Sequence, residues 1–251
     1  MFNFKNKSVL ITGGSRGIGA ATVQLFSDLG ANVAFNYLHN EAAAMACKEK
    51  TDHNPGETIV YRCDISIHDQ VQKFVQFVIE QFGRIDILVN NAGIWKYGAI
   101  DIMTEDDWQE TLKINLNSVF YFTQSVVVDM KAKNIRGKII NIASTAGQRG
   151  EAFHSHYAAS KGAIISLTKS LAAELGPSGI LVNCVAPGWV HTDMSEEAIK
   201  LEGDKIRDQI PLQRIPTADE IAGPIVFLAS DWASAITGEI LNVNSGSVLC
   251  G

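Results

Sequence analysis

The sequence predicts an α/β fold, in which a parallel sheet of about seven strands carries helices on both faces. Short apolar runs rich in β-branched residues alternate with longer segments of helical periodicity, and no repeat or low-complexity linker divides the 251 residues. A chain of this length can bury one sizeable core, so we expect residues 1–251 to form a single domain. The ligand crevice of such a doubly wound sheet lies at the carboxyl ends of its strands.

Seven strands are predicted from short β-branched runs. They are, in order, SVLIT, NVAFNY, TIVYRC, IDILVN, GKIINIA, ILVNCVA and EILNVN. Helical periodicity marks AATVQLFSDLG, residues 42–50, HDQVQKFVQFVIEQFG, residues 108–130 and residues 156–175. The polar segment at residues 192–214 fits this alternation poorly and follows a strand end, so we expect it to be a substrate lid.

Composition excludes several classes of function. The formal charge of −6 argues against a nucleic-acid partner, because a phosphate-binding face needs surplus Lys and Arg. The sequence contains neither a signal-peptide core nor a stretch long enough to span a bilayer, so we expect a cytoplasmic protein without a membrane partner. Cys47, Cys63, Cys184 and Cys250 are scattered, which predicts reduced thiols and no metal site.

A glycine-rich turn follows the first strand. The residues Thr12-Gly-Gly-Ser-Arg-Gly-Ile-Gly19 stand between SVLIT and a helix, so that their backbone can turn tightly and approach a pyrophosphate. A tight βα turn without a ligand would need fewer glycines. The sequence therefore predicts a dinucleotide site, although the spacing G-x-x-x-G-x-G differs from the commoner G-x-G-x-x-G.

A tyrosine and a lysine share one face of the helix at residues 156–175. Tyr157 and Lys161 are four residues apart, about one turn. An ammonium beside a phenol favours the phenolate, so we expect Lys161 to lower the pKa of Tyr157 and to prepare it for proton transfer.

The chain resembles the short-chain dehydrogenase/reductase family, whose glycine pattern is T-G-x-x-x-G-x-G. Further matches follow in order: Asp64 in CDIS, NNAG at residues 90–93, Asn115 in KINLNSVF, Ser144 in IASTAG, YAASK at residues 157–161 and NCVAPG at residues 183–188. The resemblance covers essentially the whole chain. It implies a Rossmann-type fold and an enzyme that transfers hydride between a nicotinamide cofactor and an alcohol or ketone.

The resemblance also implies which residues bind the cofactor. Asp64 would accept a hydrogen bond from the adenine amino group, Pro187 and Gly188 would lie by the nicotinamide, and Thr192 would bind its carboxamide. The full set of expected cofactor-binding residues is Gly13, Ser15, Arg16, Gly17, Ile18, Gly19, Asp64, Ile65, Asn91, Ala92, Gly93, Tyr157, Lys161, Pro187, Gly188, Val190 and Thr192.

Charge near the second strand favours NADP(H) over NAD(H). A site that prefers NAD usually has Asp or Glu after this strand, whereas residues 36–40 read NYLHN and the first acid is Glu41. Arg16, in the glycine turn, would pair with a 2′-phosphate through its planar guanidinium.

Four residues form the catalytic set that the resemblance implies. Tyr157 would donate the proton when a ketone is reduced and accept it when an alcohol is oxidised. Lys161 would assist Tyr157 and bind the nicotinamide ribose, and Ser144 would hold the substrate oxygen. Asn115 would help to hold a water chain that supplies protons. A hydrolase that uses Ser144 with His154 or His156 is set aside, because Ser144 does not stand in a G-x-S-x-G elbow and no acid is obviously placed to orient a histidine.

The substrate is less well defined by the sequence. Trp95, Tyr97 and residues 148–153 and 189–194 are candidates for the pocket lining, and their aromatic character favours a medium-sized ketone or a 3-oxoacyl group over a sugar. The closest subgroup by resemblance is the 3-oxoacyl-acyl-carrier-protein reductases. Docking of an acidic carrier protein needs basic residues, but Ala173 replaces the arginine of that subgroup's S-L-A-R-E.

Lys131, Lys133 and Arg136 offer another basic patch for an acyl-carrier protein, or a solvated helix end. The resemblance further implies a homotetramer, in which the helices at residues 108–130 and 156–175 pack against other subunits.

Two other functions stay open. One is an NAD(P)-dependent sugar, polyol or other alcohol dehydrogenase. The second is a sensor that binds NADP(H) without turnover, although such a protein has no need of Tyr157.

Overall fold

The computed structural model describes residues 2–249 and contains one sheet of seven parallel strands in the order β3-β2-β1-β4-β5-β6-β7. The strands are β1 (Ser8–Ile11), β2 (Asn32–Tyr37), β3 (Thr58–Arg62), β4 (Ile87–Asn90), β5 (Lys138–Ile142), β6 (Leu181–Pro187) and β7 (Ile240–Val243). The doubly wound α/β fold is confirmed. Strand order reverses between β1 and β4, which is where such sheets open a ligand crevice.

Helices cover both faces of the sheet. They are α1 (Gly17–Asp28), α2 (Glu41–Glu49), α3 (His68–Phe82), α4 (Glu105–Leu112), α5 (Ser118–Ala132), α6 (Thr145–Arg149), α7 (Ser155–Leu175), α8 (Glu196–Asp208) and α9 (Ala218–Ala229). Short 3₁₀ turns occupy residues 176–178 and 231–233.

Alternation along the strands divides the core between the two faces. Val9 and Ile11 of β1 pack into a cluster with α1 and α9, whereas Leu10 packs into a second cluster with α3 and α5. Successive strand side chains point to opposite faces, so a strand of this buried sheet is apolar on both faces over most of its length. This is why the β1 segment reads as a continuous apolar run rather than an alternating one.

The predicted helix at residues 108–130 is divided in the structure. A π-helical turn at Lys113–Asn117 separates α4 from α5, and within this turn the side-chain amide of Asn115 is hydrogen-bonded to the main chain of Ile94. The helix α4 begins earlier than predicted, at a capping box in which Thr104 and Asp107 exchange hydrogen bonds. Helix α1 also begins before its predicted start, directly within the glycine turn.

The segment at residues 192–214 contains α8, which lies outside the main core. Its backbone leaves helical geometry at Glu202 (φ −129°, ψ 21°). Ile206, Ile210 and Ile215 are buried in a small separate cluster, packed with Ile199 and Trp189. The lid role of this segment stays a prediction, and its small cluster is consistent with opening at low cost.

Thiols, metals and membrane spans can be assessed within residues 2–249. Cys47, Cys63 and Cys184 are free and buried, and Cys250 lies outside the described residues. No group of three or more His, Cys, Asp or Glu side chains in this range is arranged to hold a metal ion. None of the helices described there has the length and apolar character needed to cross a bilayer.

We expect backbone amides of α8 to exchange hydrogen with solvent much faster than those of α9. Only Ile206 is buried in α8, whereas α9 buries six residues against the sheet and α1. Hydrogen-exchange mass spectrometry measures both helices in one molecule, so α9 is the internal control. Equal protection of the two helices would contradict a lid at residues 192–214.

Candidate active site

A cleft of about 490 Å³ opens at the carboxyl edge of the sheet. It runs from the ends of β2 and β3, across the glycine turn after β1, to the loops after β4, β5 and β6. Every residue that the sequence predicts for cofactor binding lines it: Gly13, Ser15, Arg16, Gly17, Ile18, Gly19, Asp64, Ile65, Asn91, Ala92, Gly93, Tyr157, Lys161, Pro187, Gly188, Val190 and Thr192. Residues scattered over the chain therefore form one continuous surface.

The glycine turn is fixed by hydrogen bonds to neighbouring strands. The Thr12 hydroxyl oxygen accepts from the backbone N–H groups of Asn91 and Ala92, each at 2.9 Å. The Asn91 amide donates to the carbonyls of Thr12 (2.9 Å) and Gly13 (3.2 Å). On the other side, Asn36 Oδ1 accepts from the N–H of Gly13 at 3.0 Å. These bonds hold the turn rigidly at the floor of the cleft.

The shape of the turn fits a dinucleotide pyrophosphate. Gly13 and Gly17 have φ angles of 67° and 55°, which favour glycine. A Cβ at Gly19 would lie 2.1 Å from the carbonyl oxygen of Gly13, so only glycine allows the helix to start so close to the strand. The amino end of α1 has no side-chain cap and no acidic residue in its first turn. Its first N–H groups and the positive end of the helix dipole therefore face the cleft without a side-chain partner or a competing negative charge.

The end of the cleft near β2 and β3 contains no acid after β2. Leu38, His39 and Asn40 line it, and Asn40 also caps α2 by accepting from the N–H of Ala43 at 2.9 Å. The guanidinium of Arg16 lies 3.6 Å from the carboxylate of Asp193, and both side chains are more than half exposed. An exposed pair of this kind is worth at most about 1 kcal/mol, so Arg16 is available to an anion.

Asp64 has a structural role as well as a place in the cleft. Its Oδ1 accepts from the backbone N–H of Ser66 (2.9 Å) and from the Ser66 hydroxyl (2.7 Å), and these bonds form the turn after β3.

Asn90, at the end of β4, is buried, and its amide donates to Asn141 Oδ1 at 2.9 Å. Asn90 therefore supports the loop after β4, and the residues that follow it line the cleft.

Tyr157 and Lys161 line the other end of the cleft, whereas Ser144 adjoins Tyr157 without being one of the lining residues. The Lys161 Nζ lies 5.8 Å from the centroid of the Tyr157 ring, as expected for residues one turn apart in α7. Ser144 ends the strand segment of β5 and caps α6, and its hydroxyl is also hydrogen-bonded to the phenol of Tyr157. The sequence predicted these neighbours, and the sheet edge brings them together.

The protonation of this group differs from the sequence expectation. Burial raises the pKa of Tyr157 to about 12, the bond from Ser144 offsets part of this rise, and the charge of Glu151 adds to it. Burial also lowers the pKa of Lys161 to about 8. The expectation that Lys161 lowers the pKa of Tyr157 is therefore wrong for this structure, because burial dominates and Lys161 donates its hydrogen bond to the carbonyl of Ile142 at 2.8 Å. A protonated phenol is the form that can donate a proton.

Asn115 ties the loop after β4 to α7. Its Oδ1 accepts from the N–H of Ile94 (2.8 Å), and its amide donates to the carbonyl of Ile94 (2.9 Å) and to the Ser160 hydroxyl (3.3 Å). A Cβ at Gly93 would lie 3.2 Å from Asn115 Oδ1 and 3.5 Å from Lys161 Nζ. The sequence located Asn115, but the π-helical turn that aims its side chain had no local signal.

Aromatic rings line the cleft beside Tyr157. Trp95 stacks on His154 with a centroid distance of 4.4 Å and an interplanar angle of 4°. Trp189 meets Trp95 at 84° and 5.7 Å. The cleft is also lined by other predicted pocket candidates, namely Arg149, Glu151 and residues 190 and 192–194. Tyr97 and Phe153 do not line it, because they stack on each other at the exposed surface. Sequence reasoning did not single out Glu110 or Ile114, which also line it.

The basic patch of Lys131, Lys133 and Arg136 lies at the wrong edge of the sheet. These residues precede β5, so they stand at its amino end, opposite the cleft. Lys133 is also engaged, since it pairs with Asp129 at 2.6 Å and donates to the carbonyl of Gly83 at 2.8 Å. The trio cannot guide an acidic partner to the cleft entrance.

Comparisons with known proteins agree with this geometry. A family model described as enoyl-(acyl carrier protein) reductase matches residues 13–247. A curated 3-oxoacyl-[acyl-carrier-protein] reductase of Synechocystis is 40% identical over 241 residues, which cover 96% of each chain. Another of that name, from Thermotoga maritima, is 38% identical over 245 residues, which cover 98% of this chain and 99% of its own.

Solved structures give the same relationship. A short-chain dehydrogenase/reductase from Brucella melitensis, described as a glucose/ribitol dehydrogenase, superposes with a TM-score of 0.93 and 35% identity over 99% of both chains. A short-chain dehydrogenase/reductase from Serratia marcescens superposes with a TM-score of 0.92 and 36% identity, over 97% of this chain and 98% of its own.

Proposed function

The chain belongs to the short-chain dehydrogenase/reductase family, and we propose on that premise that it reduces a ketone to a secondary alcohol with NADPH as the reductant. Membership of the family makes it an NAD(P)-dependent oxidoreductase acting on C–OH or C=O groups. The observation that carries the proposal is the meeting of Ser144, Tyr157 and Lys161 at one end of a cleft whose floor is the glycine turn.

The cofactor would be held along the cleft. The N–H groups at the start of α1 would bind the pyrophosphate, Asp64 the adenine, and Lys161 the hydroxyls of the nicotinamide ribose. Pro187, Gly188 and Thr192 would position the nicotinamide. When bound, NADPH supplies the hydride that reduces the carbonyl carbon.

Proton transfer would be carried out by Tyr157. Its phenol, which is protonated at neutral pH, would donate a proton to the substrate oxygen as negative charge develops there. Ser144 holds the same oxygen with a hydrogen bond that strengthens in the transition state. Asn115 positions the loop after β4 beside Lys161. By resemblance, it would also help to hold a water chain that returns a proton to Tyr157.

A preference for NADP(H) is supported by charge. The loop of Leu38, His39 and Asn40 brings no carboxylate to the adenosine end of the cleft, and Glu41 begins α2. An acid there would repel a 2′-phosphate, whereas Arg16 would bind it with a charge-assisted pair. The exposed contact of Arg16 with Asp193 is weak enough for a phosphate to displace it.

The names of the relatives favour a 3-oxoacyl thioester as substrate. Delivery by an acyl-carrier protein has less support, because Ala173 stands where an arginine is expected and the basic trio lies at the opposite edge of the sheet. A sugar or polyol is the second candidate. It is favoured by the Brucella neighbour's description as a glucose/ribitol dehydrogenase and by the Glu151 carboxylate, which can accept bonds from hydroxyl groups.

The single sheet supports treating residues 1–251 as one catalytic domain with a lid at residues 192–214. The exposed apolar side chains of Phe120 and Val128 on α5, 50% and 65% accessible, support the homotetramer.

Replacing Tyr157 by Phe should lower kcat for ketone reduction by about a thousandfold or more, because the proton donor is lost. The Kd for NADPH, measured by fluorescence titration, should change little. Tyr121→Phe is the matched control, since Tyr121 stacks on His68 away from the cleft and should keep full activity. If Tyr157→Phe keeps most of the wild-type kcat, Tyr157 is not the acid. If the wild-type protein turns over ketone and the variant does not, the protein is an enzyme and not a non-catalytic sensor.

Replacing Arg16 by Ala should raise KM for NADPH about tenfold or more and leave KM for NADH nearly unchanged, because only NADPH has the 2′-phosphate. Arg84→Ala removes the same charge at the opposite edge of the sheet, where Arg84 pairs with Asp86, and should change neither value. Steady-state kinetics with both cofactors measure the effect. A wild-type enzyme with higher kcat/KM for NADH would contradict the proposed cofactor.

Light scattering coupled to size-exclusion chromatography should give the mass of four chains. The double substitution Phe120→Asp and Val128→Asp should lower this mass by placing charges in the contact on α5. Leu201→Asp is the control, because Leu201 is as exposed but lies on α8. A wild-type monomer at micromolar concentration would refute the tetramer.

A further inference from the structure

An acidic side chain lies inside the cleft beside Tyr157. Glu151, in the loop between α6 and α7, lines the cleft together with Trp95, Trp189 and Tyr157. Its side chain is 24% exposed, which is low for a glutamate. The family resemblance assigned no role to this residue, and none of the proposed steps uses its carboxylate.

The aromatic residues hold this carboxylate in place. The indole N–H of Trp95 donates to Glu151 Oε1 at 3.2 Å. One face of Trp95 is covered by His154, and Trp189 stands perpendicular to Trp95. The rings reduce the water around the carboxylate, so its charge acts on a bound molecule with less screening than a surface charge would.

Other charges nearby do not cancel Glu151. Arg149 also lines the cleft, but its side chain is exposed at the end of α6, where solvent screens it. His154 Nδ1 lies 3.8 Å from Glu151 Oε1 but is 3.0 Å from the carbonyl of Ala152, to which a neutral ring can donate. Lys161 directs its hydrogen bond to Ile142. The charge of Glu151 also raises the pKa of Tyr157, which indicates that it reaches the reacting end of the cleft.

We propose that Glu151 is a specificity-determining residue, which makes the cleft select neutral and cationic ketones against ketones that carry a carboxylate near the reacting carbonyl. This inference rests on the proposed ketone reduction and narrows its substrate class. A substrate carboxylate held among the rings meets a fixed like charge, whereas an alkylammonium meets that charge and the faces of Trp95 and Trp189. Esters and thioesters, which are uncharged at this position, are accepted.

Three methyl ketones of similar size test the proposal: 4-oxopentanoate, its methyl ester, and acetonyltrimethylammonium. The wild-type kcat/KM with NADPH should be about tenfold or more lower for the carboxylate than for the ester, and at least as high for the cation as for the ester. Glu151→Gln keeps an acceptor for the Trp95 N–H but removes the charge, so the ratio of ester to carboxylate should fall close to one.

Glu110→Gln is the matched control, because Glu110 lines the same cleft but is paired with Lys96. It should leave the ratio unchanged. Circular dichroism and thermal unfolding check that Glu151→Gln is folded.

The outcomes separate the two proposals. If the wild-type protein reduces the carboxylate as well as the ester, or if Glu151→Gln keeps the wild-type ratio of ester to carboxylate, the role of Glu151 is refuted and ketone reduction stands. If none of the three ketones nor a 3-oxoacyl thioester supports NADPH oxidation, the proposed function fails and this inference fails with it.

Discussion

The burial of one ammonium group, that of Lys161, constrains the architecture of the site. A charge in a low-dielectric interior is costly unless polar groups surround it, and its pKa of about 8 reflects that cost. The carbonyl at the end of β5 accepts its hydrogen bond, and Gly93 leaves room for it. Helix α6 approaches α7 so closely that a Cβ at Gly147 would lie 2.5 Å from the Lys161 backbone. Two glycines, one in the loop after β4 and one in α6, thus allow the chain to pack closely around this lysine.

The parallel sheet converts this local constraint into a site. Every strand ends at the same edge, so the loops after β1, β4, β5 and β6 meet there although they are far apart in the chain. Hydrogen bonds that involve the side chains of Thr12, Asn91 and Asn115 then fix the loops relative to one another. The opposite edge receives the residues that precede the strands, which is why basic groups ahead of β5 contribute nothing to the cleft.

The substrate end of the cleft combines a carboxylate with aromatic rings. In the proposed function, the carboxylate of Glu151 reduces attraction for an anionic substrate. Meanwhile Trp95, His154 and Trp189 provide flat apolar surfaces beside the reacting tyrosine. In the proposed reaction, the glycine turn and the group around Tyr157 serve hydride and proton transfer, and Glu151 would distinguish one ketone from another.

The sequence by itself determined the succession of strands and helices along the chain, the glycine turn and the tyrosine–lysine pair. Each of these depends on contacts between residues that are close in the chain. Only the tertiary structure decided the raised pKa of Tyr157, the π-helical turn at Asn115 and the edge on which Lys131, Lys133 and Arg136 lie. Burial, and a hydrogen bond between residues 94 and 115, arise when distant segments pack, so no local pattern encodes them. The placement of Glu151 beside Tyr157 has the same origin, since Trp95 from another loop holds its carboxylate.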